Sequence, residues 1–272
     1  MEQIGLLHDG QIYDLQTAEA LNIKGDIIKA DDSKESLEIL RHSCAHMMAQ
    51  AIKELYPEAK FFVGPVVKEG FYYDFKVESK ISDEDLPAIE KKMKEIADRK
   101  LPITRHETTK EEFYEKFKND ELKQAVLKNI KNDTLTIYKQ GDFEDLCRGP
   151  HLPNTRMIRS FKLTRVAGAY LGGDEKNEMI TRIYGIAFFD KQALFDYTKM
   201  IEEAKKRDHR KLGTELELFT FNDDVGAGLP MWLPNGARLR SKLEHLLYKA
   251  HRVRGYEPVR GPEILKSEMW KI

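Results

Sequence analysis

At 272 residues the chain is long enough for more than one domain, and its 45 Lys and Arg almost cancel its 46 Asp and Glu. That balance excludes recognition of nucleic acid through bulk charge, so any basic footprint must be local. Two cysteines, Cys44 and Cys147, make no disulfide framework, no run approaches the roughly 20 apolar residues of a membrane span, and Met1-Glu2-Gln3-Ile4-Gly5 lacks a signal-peptide layout, so a soluble cytoplasmic protein is expected.

Residues 1–30 are short and mixed. A turn signal at Asp9-Gly10, between apolar segments 4–7 and 12–15, predicts a hairpin-like lead-in too small to be a domain. Asp32 with Glu35 reads as a capping box that opens a helix, and Pro57 ends it. The apolar stripe of this helix is Leu37, Leu40, Cys44, Met48, Ala51 and Leu55. His42 and His46, one turn apart, lie roughly 140–200° away from it. One face is therefore expected in a core, with an imidazole pair presented on the other.

Residues 61–67 are strand-like but interrupted at Gly64-Pro65, and 71–75 form an aromatic strand. Ser82 with Asp85 opens a second helix carrying Leu86, Ile89, Met93 and Ile96. Thr109 with Glu112 marks a further start, and Leu122, Val126, Leu127 and Ile130 give a short amphipathic helix. Lys123 lies off that stripe and by itself reads as a surface lysine. Strands are expected at 134–138, 143–147, 161–170 and 179–187, the last two joined through Gly172-Gly173-Asp174. Helices and hairpins without βαβ alternation give an α+β class.

Asp190 is read as the cap of a long charged helix reaching about residue 212, with Leu194, Tyr197, Ile201 and Ala204 inward, a basic tail at 205–211, and Gly213 as its stop. A strand at 216–221 and a loop at Gly226, Gly228 and Pro230 follow. Asn235 is expected to cap a last helix with Leu239, Leu243, Leu246, Ala250 and Val253 on one side. Arg238, Arg240, Lys242, Lys249, Arg252 and Arg254 crowd the other. Gly255 stops it, and a strand should run from 256 toward 262. The residues after 216 are too few to close a domain.

The chemistry comes from pooling two motifs. His42 and His46 offer imidazoles from a helix, and Cys147-Arg148-Gly149-Pro150-His151 offers a thiol and a third imidazole. One Cys and three His suit tetrahedral zinc. Without metal the same groups suit hydrolysis by a general base and an oriented water. A cysteine–histidine nucleophile is a third possibility, although nothing in the sequence around Cys147 signals an activating pair. Asp145 and Cys147, two apart in a strand, share a face. The residues support a hydrolytic or metal site and name no substrate.

Several motifs then stand in a telling order: His-Ser-Cys-Ala-His at 42–46, Gly64-Pro65 followed by Gly70-Phe71-Tyr72-Tyr73-Asp74, and Asp145-Leu146-Cys147-Arg148-Gly149-Pro150-His151. Ala167-Gly168-Ala169-Tyr170, Arg182-Ile183-Tyr184-Gly185 and Lys206-Arg207-Asp208-His209-Arg210-Lys211 continue the series. From about residue 33 to its end the chain resembles the threonyl-tRNA synthetases. Its tail, from Gly255-Tyr256-Glu257-Pro258-Val259 to Pro262, resembles motif 1 of class II synthetases.

The resemblance implies an editing domain at 33–189, with helices packed on a mixed or antiparallel sheet, and a connector helix at 190–213. At 214–272 it implies the incomplete start of a class II catalytic domain. A lead-in at 1–32 stands in place of the family's ubiquitin-like domain. In this family the editing site hydrolyses serine wrongly attached to threonine tRNA. Carried over by residue, His42, His46, Lys123, Asp145, Cys147 and His151 are implied as catalytic and Tyr73 as substrate-binding. His42, His46 or Asp145 would orient the water, and Lys123 would stabilise charge or hold the ribose. Lys123 and Tyr73 have no other claim to a role.

The resemblance implies no cofactor for editing; were a metal held, its ligands would be His42, His46, Cys147 and His151. ATP, Mg and a zinc ion would serve the whole enzyme beyond Ile272. The implied partners are serine-charged threonine tRNA, threonine and ATP for the whole enzyme, and a second copy through motif 1, with no membrane. Two rivals stand beside this reading. One is a free-standing zinc-dependent aminoacyl-tRNA hydrolase like the alanyl-type editing proteins, for which the motif 1 tail has no use. The other is a non-catalytic, metal-stabilised tRNA-docking and dimerisation module, against which the exposed aim of the histidine pair counts.

Overall fold

The Asp9-Gly10 turn closes a hairpin in the computed structural model, which describes residues 2–261 except 129, 131, 132, 223 and 227. Strands β1 (Gln3–His8) and β2 (Gln11–Asp14) pair antiparallel with His8 opposite Gln11. Asp9 and Gly10 take left-handed backbone, φ 48° and 75°, as a two-residue hairpin turn requires. Two elements without a sequence signal follow. Helix α1 (Leu15–Ala20) is capped by Asp14, and β3 (Asp26–Lys29) pairs with the free side of β1.

Helix α2 (Lys34–Leu55) carries the histidine pair, and its start differs from the expected box. Ser33 occupies the N-cap position. Asp32 instead accepts backbone hydrogen bonds from Phe189 (2.7 Å) and Asp190 (3.3 Å), far along the chain. The expected one-sided burial is also corrected. Between Ser36 and Ile52 only Glu38 and His42 keep appreciable exposure, because protein covers the polar side of the helix as well as its apolar stripe. Leu55, the last stripe residue, is the exposed one.

Strands β4 (Lys60–Phe61), β5 (Val66–Val67) and β6 (Gly70–Lys76) precede α3 (Leu86–Asp98). The Ser82–Asp85 capping box is present, and Leu86, Ile89, Met93 and Ile96 are all buried, as their spacing predicts. Next come β7 (Ile103–Thr109), α4 (Lys110–Lys116) and α5 (Glu121–Lys128). The Thr109–Glu112 box opens α4, so one expected helix is two. Strand β7 was not expected. It is the edge of a sheet ordered β7-β8-β9, and most of its side chains are polar and at least partly exposed, which leaves no apolar period to read.

Strands β8 (Thr134–Gln140) and β9 (Phe143–Leu146) complete that sheet. The hairpin of β10 (Ser160–Tyr170) and β11 (Met179–Phe188) joins β6 and β4 in the order β10-β11-β6-β4, with β5 also paired to β6. All these pairings are antiparallel, and with α2 and α3 they give the α+β arrangement expected. The core lies where α2 meets α3, β6, β11 and β1.

The first compact unit runs from Met1 to Tyr197, so residues 2–32 fold with the histidine helix; the second begins at Thr198, inside α6 (Lys191–Lys206). The long charged helix is not continuous. It breaks at Arg207-Asp208, and Asp208 caps α7 (His209–Glu215) by accepting from Arg210 N (2.8 Å), with Gly213 inside that helix. Leu194, Tyr197 and Ile201 are half-buried, whereas Ala204 is exposed.

In the second unit β12 (Phe219–Thr220) is all that forms of the expected strand, and it pairs with β13 (Met231–Trp232). Leu233, not Asn235, occupies the N-cap of α8 (Pro234–Val253); Asn235 lies within the helix and donates to Leu216 O (3.1 Å). Residues 256–261 form no strand, and Pro262 lies outside the described residues. Among the described residues of this unit only Gly213 and Gly236 are buried. No helix among the described residues is long and apolar enough to cross a membrane.

The difference in burial sets a testable contrast. Leu40 in α2 is fully buried and Leu243 in α8 is 53% exposed. Leu40→Ala should cost about 2–5 kcal/mol in urea unfolding, and Leu243→Ala should stay within about 0.5 kcal/mol. Equal costs would show that α8 is packed as tightly as α2.

Candidate active site

All seven residues singled out from the sequence meet in the first unit. Helix α2 supplies His42 and His46, β6 supplies Tyr73, α5 supplies Lys123, and β9 supplies Asp145. Cys147 follows β9 and continues its pairing, its N–H donating to Thr136 O (3.0 Å). The next residues turn back over α2 and bring His151 against the histidine pair.

The thiol is the centre of one half of the site. Cys147 Sγ lies 3.2 Å from His42 Nε2 and 3.2 Å from His151 Nε2. The imidazoles of His42 and His151 stack at 4.3 Å between centroids, and His46 lies 4.3 Å from His151. The far nitrogens fix the tautomers. His42 Nδ1 donates to Pro150 O (3.2 Å). Ser43 Oγ gives its proton to Ile39 O (2.9 Å), so it accepts from His151 Nδ1 (3.3 Å) as well as from Leu152 N (2.8 Å). Both Nε2 lone pairs therefore face the sulfur.

Burial keeps this half uncharged. It holds His42 at about 4 and His46 at about 3, and His151 well below its ordinary value, with the neighbouring imidazoles adding to the shift in His46 and His151. The Cys147 thiol is pushed up to about 12 by the same loss of water. The activating geometry absent from the sequence is thus present, since the thiol touches two imidazoles. Its proton nevertheless stays on sulfur, and a thiolate–imidazolium pair is disfavoured.

The other half is an ion pair. Lys123 Nζ donates to Asp145 Oδ1, and Tyr73 OH donates to Asp145 Oδ2. Leu146 N adds a third hydrogen bond to Oδ1 (2.7 Å). Lys123 and Asp145 are both almost fully buried, which corrects the surface reading of Lys123. Burial, together with the nearby Asp145 charge, raises the Tyr73 phenol far above its ordinary range, so it remains a donor. The exposed aim expected for the histidine pair is not found either. His46 is only 3% exposed, and His42 alone is half-open.

Three supporting residues had no signal strong enough to single them out. Ser43 sits between the histidines and anchors the return segment. Tyr138 on β8 packs its ring 4.4 Å from His151. Asp14 accepts from His151 N (3.0 Å) across 137 residues of sequence. Between Cys147 and His151, Gly149 takes φ 75°, and a Cβ there would lie 2.5 Å from Tyr138 Oη and 2.6 Å from Asp14 Oδ2. Only glycine fits.

Two clefts reach the site. One of about 500 Å³ opens beside Lys123, Phe143 and Asp145 and carries charges of both signs. The other, about 530 Å³, is lined by Phe62, Val63, Leu135, Leu146, Cys147 and Arg148, with Arg148 the one charged group among the described residues of its lining. The ligand atoms of His42, His46, Cys147 and His151 all lie within 4.8 Å of one another, so the donor set fits a tetrahedral cation such as zinc.

Residues 135–184, which include Asp145, Cys147 and His151, match the family described as "Threonyl and Alanyl tRNA synthetase second additional domain". That match takes in the strand and turn of the site, while His42, His46, Tyr73 and Lys123 lie before it. The whole chain is similar to proteins named threonine–tRNA ligase. Over 271 residues it is 68% identical to that of Campylobacter jejuni, covering 100% of this chain and 45% of the relative. It is 72% identical to that of Campylobacter lari over 89% of this chain and 40% of the relative. With the Helicobacter hepaticus protein it shares 66% over 99% and 45%. The chain therefore groups by sequence with the threonine–tRNA ligases, enzymes of which it spans rather less than half the length.

The neutral cluster and the ion pair make two stability predictions. Unfolded histidines titrate near 6.5, whereas the folded cluster refuses protons until about pH 4 or below. The unfolded state then binds more protons, so stability is full above pH 6.5 and falls toward pH 4, by up to about 1.4 kcal/mol per pH unit for each imidazole. Chemical unfolding at pH 7 and 5 measures this; a flat profile would mean the imidazoles are solvated. Lys123→Ala leaves Asp145 buried without its cation and should cost about 3–5 kcal/mol by the same method, while a cost under 1 would place the pair in water.

Proposed function

We propose that this chain hydrolyses the ester of serine wrongly joined to threonine tRNA, the editing step of a threonine–tRNA ligase. One observation carries the reading: a neutral Cys–His₃ cluster stands beside a buried, fully engaged Lys–Asp pair, at clefts that reach both halves. Similarity to threonine–tRNA ligases along the chain supplies the substrate class. Attachment of threonine with ATP and Mg, and pairing with a second copy through the tail, belong to the whole protein in this proposal.

The terminal nucleoside enters the apolar cleft at Cys147, where Arg148 offers a planar cation for its base or phosphate. The seryl ester then lies between the imidazoles and Lys123. Asp145 is an unsuitable base, because its oxygens already accept from Lys123, Tyr73 and Leu146 N. Its part is to hold the ammonium in place. With the single Cys147 S–H directed to His151 Nε2, the Nε2 lone pair of half-open His42 is left to accept from the water that attacks the carbonyl carbon, with His46 behind it. An imidazole held near 4 is a weak base, so its contribution is positioning more than proton affinity. Lys123 stabilises the developing oxyanion. The water's oxygen bonds the carbonyl carbon, the carbonyl–ribose bond breaks, the proton shed by the water passes to the ribose oxygen, and serine and uncharged tRNA leave.

A cation on the Cys–His₃ set would be held by His42, His46, Cys147 and His151, and in general such an ion supplies Lewis acidity. Four protein ligands close a tetrahedral shell and leave no position for water. The hydrolytic reading therefore runs on the imidazoles alone, and treatment with a chelator should leave activity in place. Loss on chelation with recovery on adding zinc would overturn that part.

The purified chain should hydrolyse seryl-tRNA faster than threonyl-tRNA and attach no threonine at any ATP concentration. His42→Ala and His46→Ala should each lower the seryl rate by at least ~10²-fold. Both should keep the far-UV spectrum of the parent. Full activity in both variants, or detectable aminoacylation by this chain, would refute the assignment.

A further inference from the structure

Asp14 is a buried carboxylate, 2% exposed, in the short N-terminal lead-in, which nothing in the hydrolytic reading requires. Its Oδ1 accepts from Thr17 N (2.7 Å) and caps α1. That bond alone would make it a local structural residue. Its Oδ2, however, points away from α1 and accepts twice more, from Tyr138 OH (2.6 Å) and from His151 N (3.0 Å). Thr17 Oγ1 meets the same phenol at 3.0 Å. One carboxylate thus joins α1, β8 and the segment that carries Cys147 and His151.

The second set of bonds bears directly on the cluster. The backbone N–H of His151 has Asp14 as its acceptor, and the ring of that residue is placed between Ser43 and Cys147 Sγ. The Tyr138 ring, held by its hydroxyl, packs against the His151 imidazole at 4.4 Å. A Cβ added at Gly149 would collide with both Asp14 Oδ2 and Tyr138 Oη, so these two groups lie close against the turn. An N-cap needs only Oδ1; the orientation of Oδ2 serves the site.

We propose that Asp14 is a positioning residue for the hydrolytic site, fixing the 147–151 turn and through it the Cys147 and His151 side chains. The lead-in is then a working part of the site. This inference rests on the hydrolytic reading for its activity readout but not for its structural one. Asn and Ser both cap helices well, so Asp14→Asn and Asp14→Ser keep α1 while altering the outer contacts. Asn turns an amide N–H₂ toward two donors, and Ser cannot reach them.

In the full chain, both variants should lower kcat for seryl-tRNA by about 10-fold or more, with KM within about threefold, the pattern of misplaced groups and not of lost binding. Alkylation of Cys147 by iodoacetamide should speed up severalfold in both, with Cys44, fully buried, as the internal control. Thermal midpoints close to that of the parent would set aside a purely stabilising role. Parental kcat and parental Cys147 labelling in both variants would overturn the proposal, as would a change confined to KM. Should the parent chain itself show no seryl-tRNA hydrolysis, the functional reading fails, and the labelling rates still decide whether Asp14 orders the turn.

Discussion

A helix buried on both sides must satisfy its polar side chains inside the protein, and in α2 that requirement builds the site. Unpaired buried polar groups cost more than the net gain from an ordinary hydrogen bond. Several polar residues of the helix accordingly have specific partners. Arg41 donates to Lys68 O and Ala187 O, and Gln50 accepts from Gln140 Nε2 (2.6 Å). Ser43 takes Leu152 N and His151 Nδ1, and His42 donates to Pro150 O. The last three bonds pin residues 150–152 on the helix and bring Cys147 to the imidazoles. Satisfying α2 and assembling the site are one event.

The same burial divides the site by charge. Around the thiol, loss of water favours the neutral forms, and the imidazoles and sulfur settle uncharged. Lys123 and Asp145 lie as deep, yet each finds the opposite charge, and Asp145 gains Tyr73 OH and Leu146 N in addition. Three donors on one carboxylate offset the desolvation that an isolated pair would not survive. A neutral region able to orient a water thus adjoins a cation able to meet negative charge. An ester carbonyl undergoing attack by water calls for that combination.

What the sequence discloses about this fold is what local chemistry decides. The Ser82–Asp85 and Thr109–Glu112 boxes both form, because a cap is settled within four residues. The aromatic β6 and the β10–β11 hairpin form because their pattern already fits a sheet. Failures occur where a distant partner outbids the local signal. Asp32 abandons its cap for Phe189 and Asp190, and Lys123 leaves the surface for Asp145. Strand β7 is an edge whose polar side chains carry no period. The gathering of His42, His46, Cys147 and His151 was legible from two motifs and a resemblance. The burial of the pair was not, because a helical wheel shows which way a side chain points and not what covers it. Asp14 reaches the site across 137 residues, and no spacing rule anticipates that.

These bonds also limit how such a site could tell serine from threonine. Asp145 has its donors, His151 is held at both ring nitrogens, and Ser43 is engaged on three sides. Among the described residues the groups left to greet a side-chain hydroxyl are few, and serine and threonine present the same hydroxyl. Under the proposed reading the choice then falls on threonine's extra methyl. A pocket distinguishes one such group by only about 10–200-fold when size is all it measures. It reaches even that only if the walls refuse to move, since an overpacked but pliant wall yields for about 1–3 kcal/mol. Here the wall behind the histidines is α2, buried from Ser36 to Ile52 apart from Glu38 and His42 and backed by the sheet carrying Tyr73. Under that reading, the two-sided burial that brings the site together also supplies the stiff wall a sieve needs.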